Sequence, residues 1–287
     1  MGYQIVCIRN LPELFRRLLP FNIGKTGLWY RGINNHSYDL EPSAYRSSKF
    51  RDHSKDIEQR SLLAGRASMH HIPKTHELEL DMDWLCYLQH YGTPTRLLDW
   101  TTDVQVAIYF AFENYYLQNG ATLGSFPCVW VFNPVAFMQT LESVIRSGSF
   151  PLGLKLSDRK LLVSDLFSNK QPQDTNYIAH LDKQTNGLLD GVYIPFESSL
   201  ICERAQTQGS CFIRFPILDN QPKLFEDHKL NKFVLRDRRF NNCLAQFIFI
   251  NPTSTFKELG VLNIKTNNIY PEVQNIALGI KHKLFDI

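Results

Sequence analysis

An α+β fold, with mixed or antiparallel sheets and flanking helices, is what this 287-residue sequence predicts, and three observations predict it. Short runs of large apolar residues recur at 27–33, 127–132, 191–195, 210–216 and 245–250, bounded by turn-forming residues. Segments with apolar residues three and four apart, such as 11–19, 52–71, 82–90 and 102–112, supply helices. The stretch 135–190 carries Ser, Asn, Gln and Asp clusters with few apolar runs, and reads as an insertion or cover over the core. A single domain over 1–287 is the economical division.

Taken in order, Leu14, Phe15, Leu18 and Leu19 with Arg16 and Arg17 opposite predict a short amphipathic helix laid on the body. The strand at 27–33 ends in Arg31-Gly32. Burying an arginine there is expensive unless something anionic meets it, either a ligand phosphate or carboxylate or an internal partner such as Asp99. Residues 34–46 form a polar loop, and 52–71 a helix through Ile57, Leu62, Leu63 and Ala67. His70, His71 and His76 match no zinc spacing and are expected at the surface, with no metal.

The densest chemistry follows. Residues 82–90 have helical spacing, Gly92 stands where a left-handed cap would end the helix, and Thr93-Pro94 forces extended backbone. Within 90–102 lie His90, Tyr91, Arg96, Asp99, Trp100, Thr101 and Thr102. Arg96 and Asp99 could be a buried ion pair fixing the turn or site residues, and Trp100 is expected in the core. Thr102 with Gln105 makes a capping box. Val104, Ala107, Ile108 and Ala111 on one face, with Val106, Tyr109 and Phe110 on the other, predict a central helix. Its positive end would lie beside Thr101, Thr102 and Asp103, favouring an anionic group. Further on, Asn133-Pro134 closes a buried strand, Ser254 can cap a helix ended by Gly260, and Pro271-Glu272 opens another.

Composition narrows the classes. At 44% hydrophobic and 21% charged the chain is ordinary for a soluble globular protein. A net charge of +3 is too slight to argue for nucleic acid, and the basic spot 236–239 is expected to be solvated surface. Six cysteines without paired spacing, and no signal peptide, imply reduced thiols and a cytoplasmic location. No apolar run approaches the ~20 residues of a membrane span, so no membrane partner is expected.

Tyr30-Arg31-Gly32, then Leu40-Glu41-Pro42-Ser43 with Arg46, then Gln89 to Thr101, then Arg204 to Phe212, and finally Leu259-Gly260 with Ile269 to Glu272 resemble the FRG domain, a family named for its aromatic-Arg-Gly motif, in which this chain has tyrosine. The resemblance covers most of the chain in the right order. It implies a bacterial or phage-associated protein and names no activity by itself.

A second resemblance, to ADP-ribosyltransferases, suggests one, together with a core of that type. In that family an early strand carries an arginine, a later strand a serine or threonine before an Ala-containing helix, and a final strand a glutamate. Here the corresponding positions are Arg31, Thr101 or Thr102, and Gln206-Thr207-Gln208. Gln208 stands at the glutamate position, with Glu203 and Glu272 as candidates to replace it. The resemblance implies NAD as substrate, no metal, and a protein or nucleic-acid acceptor, in a toxin or anti-phage effector. Arg31, Thr101, Gln208, Glu203 and His90 would be the catalytic candidates, and Tyr30, Gly32, Tyr91, Arg96, Thr102 and Gln206 would bind the nucleotide. The alternative is a non-catalytic module that binds a nucleotide or a protein in the same cleft.

Overall fold

Seven short strands pair into one mixed sheet: β1 (Gln4–Ile8), β2 (Trp29–Ile33), β3 (Leu97–Thr101), β4 (Cys128–Phe132), β5 (Ile194–Glu197), β6 (Ser210–Arg214) and β7 (Leu244–Phe249). Their spatial order is β1-β7-β4-β2-β3-β6-β5, and every neighbouring pair is antiparallel except β1 with β7. The computed structural model describes residues 3–22, 27–72, 75–76, 78–117, 125–147, 188–197, 203–217, 229–260 and 269.

Helices α1 (Leu11–Asn22), α2 (Ser48–Asp52), α3 (Ser54–Met69), α4 (Asp81–His90), α5 (Val104–Leu117), α6 (Pro134–Arg146), α7 (Glu203–Thr207), α8 (Leu230–Arg236) and α9 (Pro252–Leu259) surround it. Side chains alternate across each strand, so the sheet has two cores. Trp29, Trp100, Trp130 and Phe132 pack with residues of α4, α6 and α8 in one of them. Tyr30, Val131 and Phe247 pack with residues of α1, α5 and α9 in the other.

Local chemistry sets the boundaries. Asn10 Oδ1 accepts from Glu13 N at 2.9 Å while Glu13 Oε2 accepts from Arg9 N at 3.0 Å, a reciprocal cap that starts α1. Leu11, Leu14 and Leu18 are buried while Phe15 and Leu19 are exposed, so the helix is amphipathic but its buried stripe is narrower than the four residues predicted. At the end of α4, Gly92 adopts φ +89°, Gly92 N donates to Gln89 O and Thr93 N to Leu88 O, both at 3.0 Å. This is a glycine C-cap in which two orphan carbonyls find donors.

The capping expectation for α5 is corrected by one residue. Asp103 Oδ1 accepts from Gln105 N at 2.7 Å, and Thr101 Oγ1 accepts from Asp103 N at 2.9 Å. Thr102, just beyond β3, has its N–H tied to Gly209 O at 3.0 Å. Helix α9 likewise begins after Asn251, with Pro252 as its first residue, rather than at Ser254. The expected Pro271-Glu272 helix lies outside the described residues.

The stretch read as an insertion begins with a core helix. Asn133 Oδ1 accepts from Ala136 N at 2.9 Å, and Phe137, Met138, Leu141, Val144 and Ile145 of α6 are buried. Residues 148–187 lie outside the described ones. His70, His71 and His76 are exposed, and no cluster of metal-ligating side chains occurs among the described residues. Among those residues, too, no helix is long and apolar enough to cross a membrane.

Candidate functional site

The two central strands barely touch. Among the described residues β2 pairs with β4 at five positions and β3 with β6 at five, but β2 and β3 pair only at Tyr30 and Thr101. Side chains bridge the parting. Arg31 Nη1 donates to Asp99 O at 2.6 Å and stands 3.7 Å from Asp99 Oδ2. From the last turn of α4, Gln89 Nε2 donates to Asp99 Oδ2 at 2.9 Å, while Gln89 Oε1 accepts from Thr95 Oγ1 at 2.7 Å. Gln89, Thr95 and Asp99 are thus one hydrogen-bonded unit that sets the edge of β3.

A cavity of about 460 Å³ opens where the strands diverge. It reaches both cores: Trp100 comes from one, and Tyr30, Val106 and Phe110 from the other. Thr101, Gln208 and Ser210 add hydroxyl and amide groups, and His90 adds an imidazole whose ring meets Phe212 edge-on at 5.7 Å.

Its charged lining is Arg31 and Arg46 with Asp39, Asp99 and Glu113. The Arg31 side chain is 22% exposed, and its buried Nε has no hydrogen-bond partner among the described residues. Burial pulls the Arg31 pKa below the ordinary arginine value, Asp99 opposing and Arg46 reinforcing the shift.

Asp39 accepts from Lys229 Nζ and Asn231 Nδ2, both at 2.7 Å, and stands 3.6 Å from Lys232 Nζ. Burial alone would raise its pKa, but Asn231 and the two lysines hold it below the ordinary aspartate range. These ties therefore stabilise the fold fully above that range, and the contribution is lost as pH falls through the lowered pKa. Thermal melts between neutral pH and about pH 3 should show a steeper acid-side loss in the wild type than in Asp39→Asn; parallel curves would contradict this.

Of the residues singled out in the sequence, Arg31, Thr101, Gln208, His90, Tyr30 and Gly32 line this cavity. Thr101 Oγ1 donates to Gln208 O at 2.5 Å, and Gln208 Nε2 donates to Ile269 O at 3.2 Å, so each has a structural tie as well. Gly32 permits the wall itself, because a Cβ there would sit 1.7 Å from Ala107 O.

The other candidates stand elsewhere. Arg96 is buried and bound on three sides, to Glu58 Oε2 at 2.8 Å, Phe215 O at 3.1 Å and Asp190 Oδ1 at 3.0 Å. It is a structural cation rather than a nucleotide ligand, and its partners are not Asp99. Burial would lower its pKa, but Glu58 and Asp190 hold it above the ordinary arginine value. Tyr91 is 57% exposed against Tyr87, and Thr102 and Gln206 are exposed without lining the cavity. The side chain of Glu203 and all of Glu272 lie outside the described residues.

Asp39, Arg46, Gln89, Phe110, Glu113 and Ser210 line the cavity without having been picked as site residues. The available signal was on α5, where Val106, Phe110 and Glu113 fall four and three residues apart, a carboxylate ending an apolar stripe. Cysteine chemistry is disfavoured beside the cavity. Burial pushes the Cys128 thiol up to about 12 and the Cys211 thiol well above its ordinary value, so neither is a thiolate at neutral pH.

Comparison with protein families matches residues 26–119 to the FRG domain. That match spans about a third of the chain. Comparison with curated proteins and with solved structures gives no match. The FRG domain's matched residues supply Arg31, Asp39, Arg46, Gln89, His90, Asp99, Thr101 and Glu113, while Gln208 and Ser210 reach the cavity from beyond them. The segments 204–212 and 259–272, whose resemblance to the family was read from sequence, fall beyond the match.

Proposed function

We propose that the FRG-domain cavity binds NAD or a related nucleotide, and that the chain is an NAD-dependent ADP-ribosyltransferase or NAD glycohydrolase. What supports this is that Arg31 of β2, Thr101 of β3 and Gln208 before β6, far apart in the chain, line one cavity between parted strands. Tyr30, Phe110 and Trp100 offer flat apolar walls to a ring.

The chemistry requires the bond between nicotinamide nitrogen and ribose to break, the electron pair leaving with nicotinamide and positive charge building on the sugar. Carboxylates at Asp99 and Glu113 would steady that charge. Water, or a hydroxyl of a protein or nucleic-acid acceptor, then attacks the sugar and gives its proton to a base, a role His90 could fill. On incubation with NAD the wild type should release nicotinamide, and Arg31→Ala and Glu113→Gln should lower that rate by about tenfold or more. Absence of release with water, protein or nucleic-acid acceptors would sink the enzymatic reading.

One observation favours the second reading, a nucleotide-binding module without turnover. The Thr101 hydroxyl and the Gln208 amide both donate to backbone carbonyls, and no carboxylate stands at Gln208. Calorimetry showing tight NAD binding without nicotinamide release would select it.

A further inference from the structure

We infer that Arg46 and Arg31 are two jaws of a diphosphate clamp, so that this cavity takes a diphosphate ester of a nucleoside in preference to the nucleoside itself. The inference rests on the nucleotide reading given above.

Two arginines line the same cavity, one largely buried and the other exposed. Arg31 projects from the central strand β2 with 22% of its side chain exposed, and Arg46 stands exposed at the end of the short 3-10 turn Ala44–Arg46. They are close enough for the charge on Arg46 to lower the Arg31 pKa, so the two repel each other.

The neighbouring acids do not remove that repulsion. Asp39 is held by Lys229, Lys232 and Asn231, and Asp99 is held by Gln89 and Arg31. Glu113 stands on α5, and Arg46 makes no ion pair with it or with any other acid among the described residues. Arg31 keeps a buried N–H at Nε without a partner among the described residues.

Two like charges and an unmet donor around one cavity are costly unless an anion joins them. A guanidinium fork matches phosphate oxygens in geometry and charge. Two forks, one largely buried and the other exposed, call for an anion with two charged centres, which a diphosphate has and a single phosphate lacks. Beside them the aromatic walls of Tyr30 and Phe110 accept the rest of a nucleotide.

The test is calorimetric titration of the full chain with ADP-ribose, AMP and adenosine, comparing wild type with Arg46→Gln and Arg46→Lys. Arg46 is exposed on a surface turn, so both variants should melt with the wild type. ADP-ribose should bind wild type more tightly than AMP, and AMP more tightly than adenosine. Arg46→Gln should weaken ADP-ribose by about tenfold or more and leave adenosine unchanged, with Arg46→Lys recovering part of the loss. Equal losses for ADP-ribose and adenosine, no loss at all, or no binding of ADP-ribose by wild type would overturn the clamp.

Its failure and that of the enzymatic reading are separable. Arg46-dependent ADP-ribose binding without nicotinamide release defeats only the enzyme. Nicotinamide release whose KM for NAD is indifferent to Arg46→Gln defeats only the clamp.

Discussion

Gly32→Ala is expected to destroy the native packing of the central helix. The added Cβ would lie 1.7 Å from Ala107 O and 2.5 Å from Ala111 N, both backbone atoms of α5. Backbone cannot swing aside as the tip of a flexible side chain can, so the helix would have to lift off β2 along its contact. Overpacking commonly costs about 1–3 kcal/mol where side chains can adjust, and at a backbone contact the loss should exceed about 4 kcal/mol, a large part of a domain's stability. Urea unfolding should show a collapsed midpoint or no folded protein. A variant within about 1 kcal/mol of wild type would mean that α5 does not sit on Gly32 in solution.

Arg96→Met is the second large effect, expected at about 3–5 kcal/mol. The substitution leaves the carboxylates of Glu58 and Asp190 and the carbonyl of Phe215 without their shared donor, in a place where the arginine side chain is only 5% exposed. Exchanging Glu58 for leucine as well should recover much of the loss, because the unmet buried charge goes with it. The pH dependence has a definite sign: once Arg96 is gone, buried Glu58 favours its protonated form, so the deficit should shrink on acidification. Denaturation at neutral and acidic pH measures both. If Arg96→Met instead left stability untouched and weakened only nucleotide binding, the structural assignment of Arg96 would fall.

These two residues show what local reading can reach. Gly92, Thr93-Pro94 and the apolar spacing of 82–90 and 104–111 each act over a few residues, and the helix, cap, strand and central helix they imply are all present. Arg96 was ambiguous because its acidic partners lie 38 and 94 residues away. Thr102 lost its capping role to Asp103 because its N–H is taken by Gly209, a contact between distant segments. Strand β1 went unread: Val6 and Ile8 face the core, but the outward Ile5 and Cys7 are apolar as well, so the sequence shows no alternation there. Helix α6 had its apolar spacing at Phe137, Leu141, Val144 and Ile145, diluted by outward Gln139 and Ser143.

The cavity was half legible for the same reason. Arg31, Thr101 and Gln208 sit in short motifs and Arg46 follows the one at 40–43, whereas Asp39 and Glu113 stand outside any motif and join them only in the folded chain. Folding, not local sequence, brings those charges together.

With a single backbone rung between its middle strands, the sheet leaves their junction to Arg31 of β2, which reaches Asp99 of β3, an aspartate that Gln89 of α4 steadies. The aperture of the cavity is therefore a side-chain property. Lengthening or shortening the side chain at position 31 should change the width of the cavity, while the β2–β4 and β3–β6 ladders on either side do not depend on it.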